Sequence, residues 1–137
     1  MRVVAAALLV AALLAVPATA GAQAPLPVGE ADGVRVVRQR GALVVVFTSS
    51  ARKLWRQVAG RRVSVLCTEF LSSGSAGGGA TMRAPRRGRR IHTGDLTRGM
   101  DYCSVSLEPR RDGRSSELIV SVPLTQRGAV FLDERRR

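Results

Sequence analysis

The sequence predicts a small α+β domain built on a single sheet of about five strands, with a short helix after the second strand and a C-terminal helix. Three observations indicate this class: several short β-branched apolar stretches, a helical periodicity after Thr48, and two cysteines in alternating stretches. An immunoglobulin-like β-sandwich is the alternative, because about 36 residues separate the cysteines and a tyrosine lies near the second one. Tyr102 directly precedes Cys103, however, and Trp55 lies upstream of Cys67, which departs from the immunoglobulin pattern.

The first 20 residues have the three regions of a secretory signal peptide. Arg2 gives a basic start, residues 3–16 are apolar, and Ala18-Thr19-Ala20 is a small-x-small cleavage motif. The apolar run is shorter than the roughly 20 residues that span a bilayer. We therefore expect cleavage before Gly21, or alternatively before Gln23, and a secreted or envelope-located protein without a transmembrane segment. A retained N-terminal anchor is the other interpretation.

After cleavage, residues 21–32 are expected to be a flexible lead-in, because prolines and glycines interrupt any periodic pattern there. A single globular domain is expected over residues 33–137. Its first strand is half exposed, since Val34, Val36 and Val37 are mixed with arginines. Ala42–Thr48 is continuously apolar and β-branched, which predicts a central strand buried on both faces.

A short helix is predicted over residues 49–60. Ser49 or Ser50 can cap its start, and Gly60 suits the left-handed turn that ends it. Trp55 falls on the apolar face, so it is interpreted as a core residue and not as a ligand-stacking one.

The two cysteines are predicted to form a disulfide. Arg62–Phe70 and Asp101–Leu107 both alternate, with Cys67 and Cys103 on their apolar faces. An even number of cysteines in an exported protein is typical of a disulfide framework. Closing a loop of about 36 residues would stabilise the fold by roughly 3 to 4 kcal/mol. Two buried free thiols are the alternative.

Two further segments complete the chain. Residues 71–100 are rich in glycine and serine and then in arginine, which predicts a long loop. The Asp112-Gly113 turn leads into a returning hairpin strand at 118–122. Thr125 can cap a final helix reaching Glu134, although Val130–Leu132 would also suit an edge strand.

Charge is the strongest unusual feature, with 22 basic and 10 acidic residues and a net charge of +12. A cluster on one segment can neutralise several phosphates or sulfates at once. The expected partner is an anionic polymer of the cell envelope, and the absence of interleaved aromatic residues argues against nucleic acid. The candidate polyanion-binding residues are Arg83, Arg86, Arg87, Arg89 and Arg90, with Arg110, Arg111, Arg114 and Arg135–Arg137 as extensions.

The alternative function is a structural or protein–protein interaction domain whose partner is another exported protein. Its charge would be incidental, because Lys53 is the single lysine and a GC-rich bacterial genome produces such an arginine bias. High net charge also serves solubility alone.

No catalytic, metal or cofactor site is predicted. His92 could be grouped with a serine and with Asp95 or Asp101, but no Gly-x-Ser-x-Gly motif presents the serine. The cysteines lack neighbouring ligands at zinc spacing. The glycines at 77–79 are not followed by the Gly-Lys-Ser/Thr of a phosphate-binding loop. We therefore expect a protein that is not an enzyme.

Overall fold

The computed structural model describes residues 26–94, 100–109 and 116–137. The described chain is mostly β, with two short helices and a 3-10 turn at Ser49–Ala51. The elements in order are β1 (Leu26–Ala31), β2 (Val34–Gln39), β3 (Ala42–Phe47), α1 (Arg52–Val58), β4 (Arg62–Leu71), β5 (Gly74–Arg83), β6 (Arg90–His92), β7 (Tyr102–Leu107), β8 (Glu117–Pro123) and α2 (Gln126–Arg135).

The strands form two antiparallel sheets of four strands each, so the prediction of one five-stranded sheet is wrong. The first sheet has the order β1-β2-β3-β6 and the second the order β5-β4-β7-β8. One apolar core contains buried residues of both sheets, among them Val36, Val45, Val65 and Val105. The arrangement is therefore sandwich-like. The sequence shows where strands lie, but the choice of partner depends on contacts between residues far apart in the chain.

The segment 71–100, predicted as a loop, contains two strands. All ten residues of β5 pair with β4, from Arg62 opposite Arg83 to Leu71 opposite Gly74, so Ser72-Ser73 is a two-residue hairpin turn. Glycine, serine and alanine have low strand propensity. The backbone ladder to β4 provides the hydrogen bonds that hold this edge strand, and Ala80 and Met82 near its end pack against the core.

Strand β1 lies in the segment 21–32, so the prediction of an unstructured lead-in is wrong for residues 26–31. The remaining residues 21–25 lie outside the described part. β1 pairs with β2 and has a bulge before Gly29. A Cβ atom at Gly29 would overlap the carbonyl of Pro123. The backbones of β1 and β8 therefore meet closely on this side of the core.

Both predicted helices are present. Trp55 is 7% exposed and packs against Phe47 with ring centroids 5.2 Å apart, which confirms it as a core residue. The serine cap is wrong, because neither the 3-10 turn nor α1 has a side-chain cap. The cap of α2 is confirmed, since the backbone N–H of Gly128 donates to Thr125 Oγ1 over 3.1 Å. Aromatic contacts join α2 to the second sheet. The ring centroids of Phe131 and Phe70 are 5.0 Å apart.

The disulfide between Cys67 and Cys103 is confirmed. The two residues lie directly opposite each other on β4 and β7, and both are buried in the core. The bond therefore joins neighbouring strands of one sheet, whereas the immunoglobulin disulfide joins the two sheets.

Asp101 is a buried carboxylate that connects three elements. It is 1% exposed and accepts hydrogen bonds from the Phe70 backbone N–H over 2.6 Å, from the Thr125 hydroxyl and from Arg127 over 3.3 Å. The Thr125 hydroxyl lowers the pKa of Asp101, with further contributions from Phe70 and Arg127 against an opposing effect of burial. Asp101 thus fixes β4 and the start of α2 to the start of β7.

Asp101→Asn is expected to lower the free energy of unfolding by about 1 to 3 kcal/mol at pH 7, because a neutral amide cannot accept all of these bonds. Because the pKa of Asp101 is lowered in the folded state, its stabilising effect is complete above the ordinary value of about 4 and disappears as pH falls through the folded value. Urea unfolding from pH 7 to pH 2 should therefore show the two proteins converging in acid. The exposed Asp133→Asn is the control, and a constant difference at every pH would contradict the account.

Candidate anion-binding surface

The arginines predicted to bind polyanions lie on the connection between the two sheets. Residues 83–90, here called the basic segment, run from the last residue of β5 to the first residue of β6. They carry the five predicted arginines. The side chains of Arg86, Arg87 and Arg90 are exposed, and Arg89 is partly exposed.

The first end of the basic segment is fixed to the turn after α1. Ala84 is 1% exposed, and its carbonyl accepts from the Gly60 N–H over 3.0 Å while its own N–H donates to the Arg61 carbonyl over 2.8 Å. Gly60 has a φ of +70°, and a Cβ there would lie 3.2 Å from Arg86 Cγ. The aliphatic part of Arg86 therefore lies over a glycine that also ends the helix.

The second end is fixed to β3. The Arg89 carbonyl accepts from the Phe47 N–H over 2.8 Å, and Arg90 pairs with Val46. Ile91, the next residue, is 1% exposed and belongs to the core. The arginines are thus presented by a segment with anchors at both ends, and not by a long loop.

The fold adds two arginines that the sequence analysis missed. Arg61 and Arg62 lie in the turn and first strand position after α1, and Arg62 is directly opposite Arg83 in the β4–β5 ladder. Only the pairing of β4 with β5 reveals this, because the two strands were not predicted as a hairpin. We call the basic segment together with Arg61 and Arg62 the basic surface.

Like charges opposite each other in a sheet are unfavourable, so the Arg62–Arg83 pair needs compensation. The Arg83 guanidinium donates to the Gly60 carbonyl over 2.8 Å, and Arg62 lies 2.7 Å from Glu108 Oε2. A shallow depression of about 230 Å³ lies between these groups and is lined by Gly60, Arg61, Arg62, Arg83, Glu108 and Pro109.

Within the described ranges, Glu108 is the single carboxylate within 4.0 Å of a guanidinium of the basic surface. The other ion pairs of the described chain involve arginines elsewhere. Among the described residues, the guanidiniums of Arg86, Arg87, Arg89 and Arg90 therefore have no carboxylate partner.

The predicted extension at the tail, Arg135–Arg137, has its described side-chain contacts away from the basic surface. Arg110, Arg111 and Arg114 lie outside the described residues. In the tail, Arg135 lies over the Phe131 ring at 5.5 Å, Arg136 is 3.7 Å from Asp32, and Arg137 is 3.4 Å from Asp133. The tail arginines therefore have partners of their own.

The residues considered for catalysis are distributed as follows. His92 is exposed at the end of β6, opposite Val44. The carboxylate of Asp101 is occupied by the contacts described above, and Asp95 lies outside the described residues. The part of the chain that the structure describes holds no group of three His, Cys, Asp or Glu residues placed to bind a metal ion. It also holds no helix long and apolar enough to cross a membrane.

Comparison with protein-family models, with curated proteins and with solved structures found no match to this chain.

Proposed function

We propose that this protein is an exported, non-enzymatic domain that binds an anionic polymer of the cell envelope through the basic surface. The observation that carries the proposal is the anchoring of the basic segment at both ends, next to a second pair of arginines. Each guanidinium offers a planar set of donors that matches phosphate, sulfate or carboxylate groups.

Two physical effects support binding at this place. Anchoring at Ala84 and Arg89 means that less backbone entropy is lost when an anion orders the segment. An anion near Arg62 and Arg83 would also add to the compensation that Glu108 and the Gly60 carbonyl give to these opposite strand neighbours. Both effects favour this surface over arginines scattered on the rest of the molecule.

Export is part of the same proposal. The signal-like residues 1–20 support it, and the disulfide between Cys67 and Cys103 is compatible with an oxidising compartment. An envelope location would bring the basic surface next to anionic polymers.

The proposal is tested by titrating the purified protein with short-chain polyphosphate in a calorimeter at several salt concentrations. If the surface neutralises about four or five charges, the affinity should fall roughly 50- to 500-fold between about 50 and 200 mM salt. Binding that does not depend on salt would contradict the proposal.

A second candidate function is a structural or protein-interaction domain with incidental charge. The exposed edge of β5 favours it, because an unpaired strand edge can accept a further strand. Removal of the arginines from the basic segment would leave this function intact, whereas charges introduced into β5 would abolish it.

A further inference from the structure

The four edge strands of the two sheets differ in how they are protected against pairing with another chain. β1 carries a bulge and lies against β8 at Gly29 and Pro123. β6 is three residues long and has the polar residues Arg90 and His92 at its ends. Bulges, mutual cover, short length and charge are the usual protections of a sheet edge.

In the part of the chain that the structure describes, β5 has no bulge, no covering segment and no short length, and its single charge lies at its last position. It is ten residues long, pairs with β4 without a register shift, contains no proline and carries one charge, Arg83, at its last position. Its residues are mostly exposed. The strand therefore presents an extended, regular and almost uncharged edge.

An exposed leucine lies beside the centre of this edge. Leu66 of β4 is 50% exposed, and its Cδ1 would lie 3.5 Å and 3.7 Å from Cβ atoms placed on Gly79 and Gly77. The glycines leave the leucine uncovered on the outer face of the sheet. A strand added to β5 would bring new side chains to this face.

We propose that the edge of β5 pairs with β5 of a second copy of this chain, in antiparallel orientation about a two-fold axis near Gly79. The two four-stranded sheets would then form one continuous sheet of eight strands. A two-fold axis uses the same surface of both copies, and a nearly uncharged strand meets no repulsion from its own copy at the centre.

Charge decides the orientation. Antiparallel pairing centred on Gly79 places the two Arg83 side chains roughly 25 to 30 Å apart, whereas parallel pairing in register would place them side by side. In the same cross-strand row, only Gly79 of each copy would lie between the two Leu66 side chains. The two β4 backbones would be about 14 Å apart. The strand offers no charge pattern that would select an acidic or a basic peptide, which favours an identical strand as the occupant.

The test is sedimentation velocity of the purified protein in about 0.5 M NaCl, where polyanion-bridged assemblies are screened. We expect a dimer at micromolar concentration, at least tenfold weaker association for Gly79→Lys and for Thr81→Lys, and unchanged association for Ser116→Lys. Thr81 is an exposed β5 residue, and its variant replaces Gly79→Lys if circular dichroism shows that Gly79→Lys does not fold. Ser116 is exposed just before β8, at the opposite edge of the same sheet, and its variant adds the same charge.

A wild-type protein that stays monomeric up to about 100 µM would overturn the inference. A dimer that neither β5 substitution weakens would overturn it too, because its interface would lie elsewhere. Capture of a different exported protein by the β5 edge, in place of self-association, would also contradict it. The polyanion titration is independent, since the β5 substitutions leave the arginines of the basic surface unchanged.

Discussion

Replacing Arg86, Arg87, Arg89 and Arg90 with serine is expected to weaken polyphosphate binding by roughly 100-fold at low salt. The slope of log affinity against log salt concentration should also fall by the equivalent of about three to four neutralised charges. These four residues carry most of the charge of the basic segment, and the described chain provides no carboxylate partner for any of them within 4.0 Å. Calorimetric titration of the variant beside the wild type measures both quantities. The anchors of the segment are backbone bonds, so the variant should keep its fold.

The matched control removes four exposed arginines from other places on the surface: Arg38, Arg40, Arg136 and Arg137. Its net charge equals that of the first variant. The changes at Arg136 and Arg137 also remove exposed ion pairs with Asp32 and Asp133, which contribute little to stability. A localised site predicts that this control loses no more than a few-fold in affinity. If both variants weaken equally, the binding reflects overall charge, and the basic surface is not a site.

Removal of the disulfide by Cys67→Ala together with Cys103→Ala is expected to lower the free energy of unfolding by about 3 to 4 kcal/mol. The loop that the bond closes, with a sequence separation of 36, includes β5 and the basic segment. In the unfolded chain this loop is free once the bond is lost, and the entropic cost of folding rises accordingly. For a domain of this size the melting temperature should fall by more than about 10 °C.

Thermal and urea unfolding with and without a reducing agent check this expectation. The reducing agent should destabilise the wild-type protein to near the level of the double variant and leave the double variant unchanged. Equal stability of the wild type and the variant without reducing agent would show that the bond adds nothing to the fold.

The strands with large β-branched side chains were predictable, because their alternating or continuous apolar stretches correspond to buried residues. β2, β3, β4 and β7 lie where the valine-rich stretches predict them, and Cys67 and Cys103 face inward as expected. α2 was predictable as well, since Thr125 provides a local cap that the sequence alone displays.

β5 was not predictable from its own residues. Its glycines, serines and alanines resemble a linker, and its strand conformation depends on a partner, β4, that supplies the hydrogen bonds. The same holds for the position of Arg62 opposite Arg83. The number of sheets depended on these non-local pairings and was therefore wrong in the prediction.

The candidate site was predictable as a group of residues but not as a geometry. Arginine density identified the segment 83–90, whereas its anchors are the buried Ala84 and the carbonyl of Arg89, which carry no compositional signal. Arg61 joins the surface only because its carbonyl accepts from Ala84. Anchoring is the feature that turns a charged stretch into a candidate site.

A titration of the isotopically labelled protein with short-chain polyphosphate, followed by backbone and arginine side-chain chemical shifts, would locate the binding site directly. Binding at the basic surface should give perturbations that concentrate on residues 60–62 and 83–90, grow in a saturable manner and disappear at high salt. Shifts spread evenly over all exposed arginines, including Arg38 and the tail at Arg136 and Arg137, or no shifts at all, would contradict it.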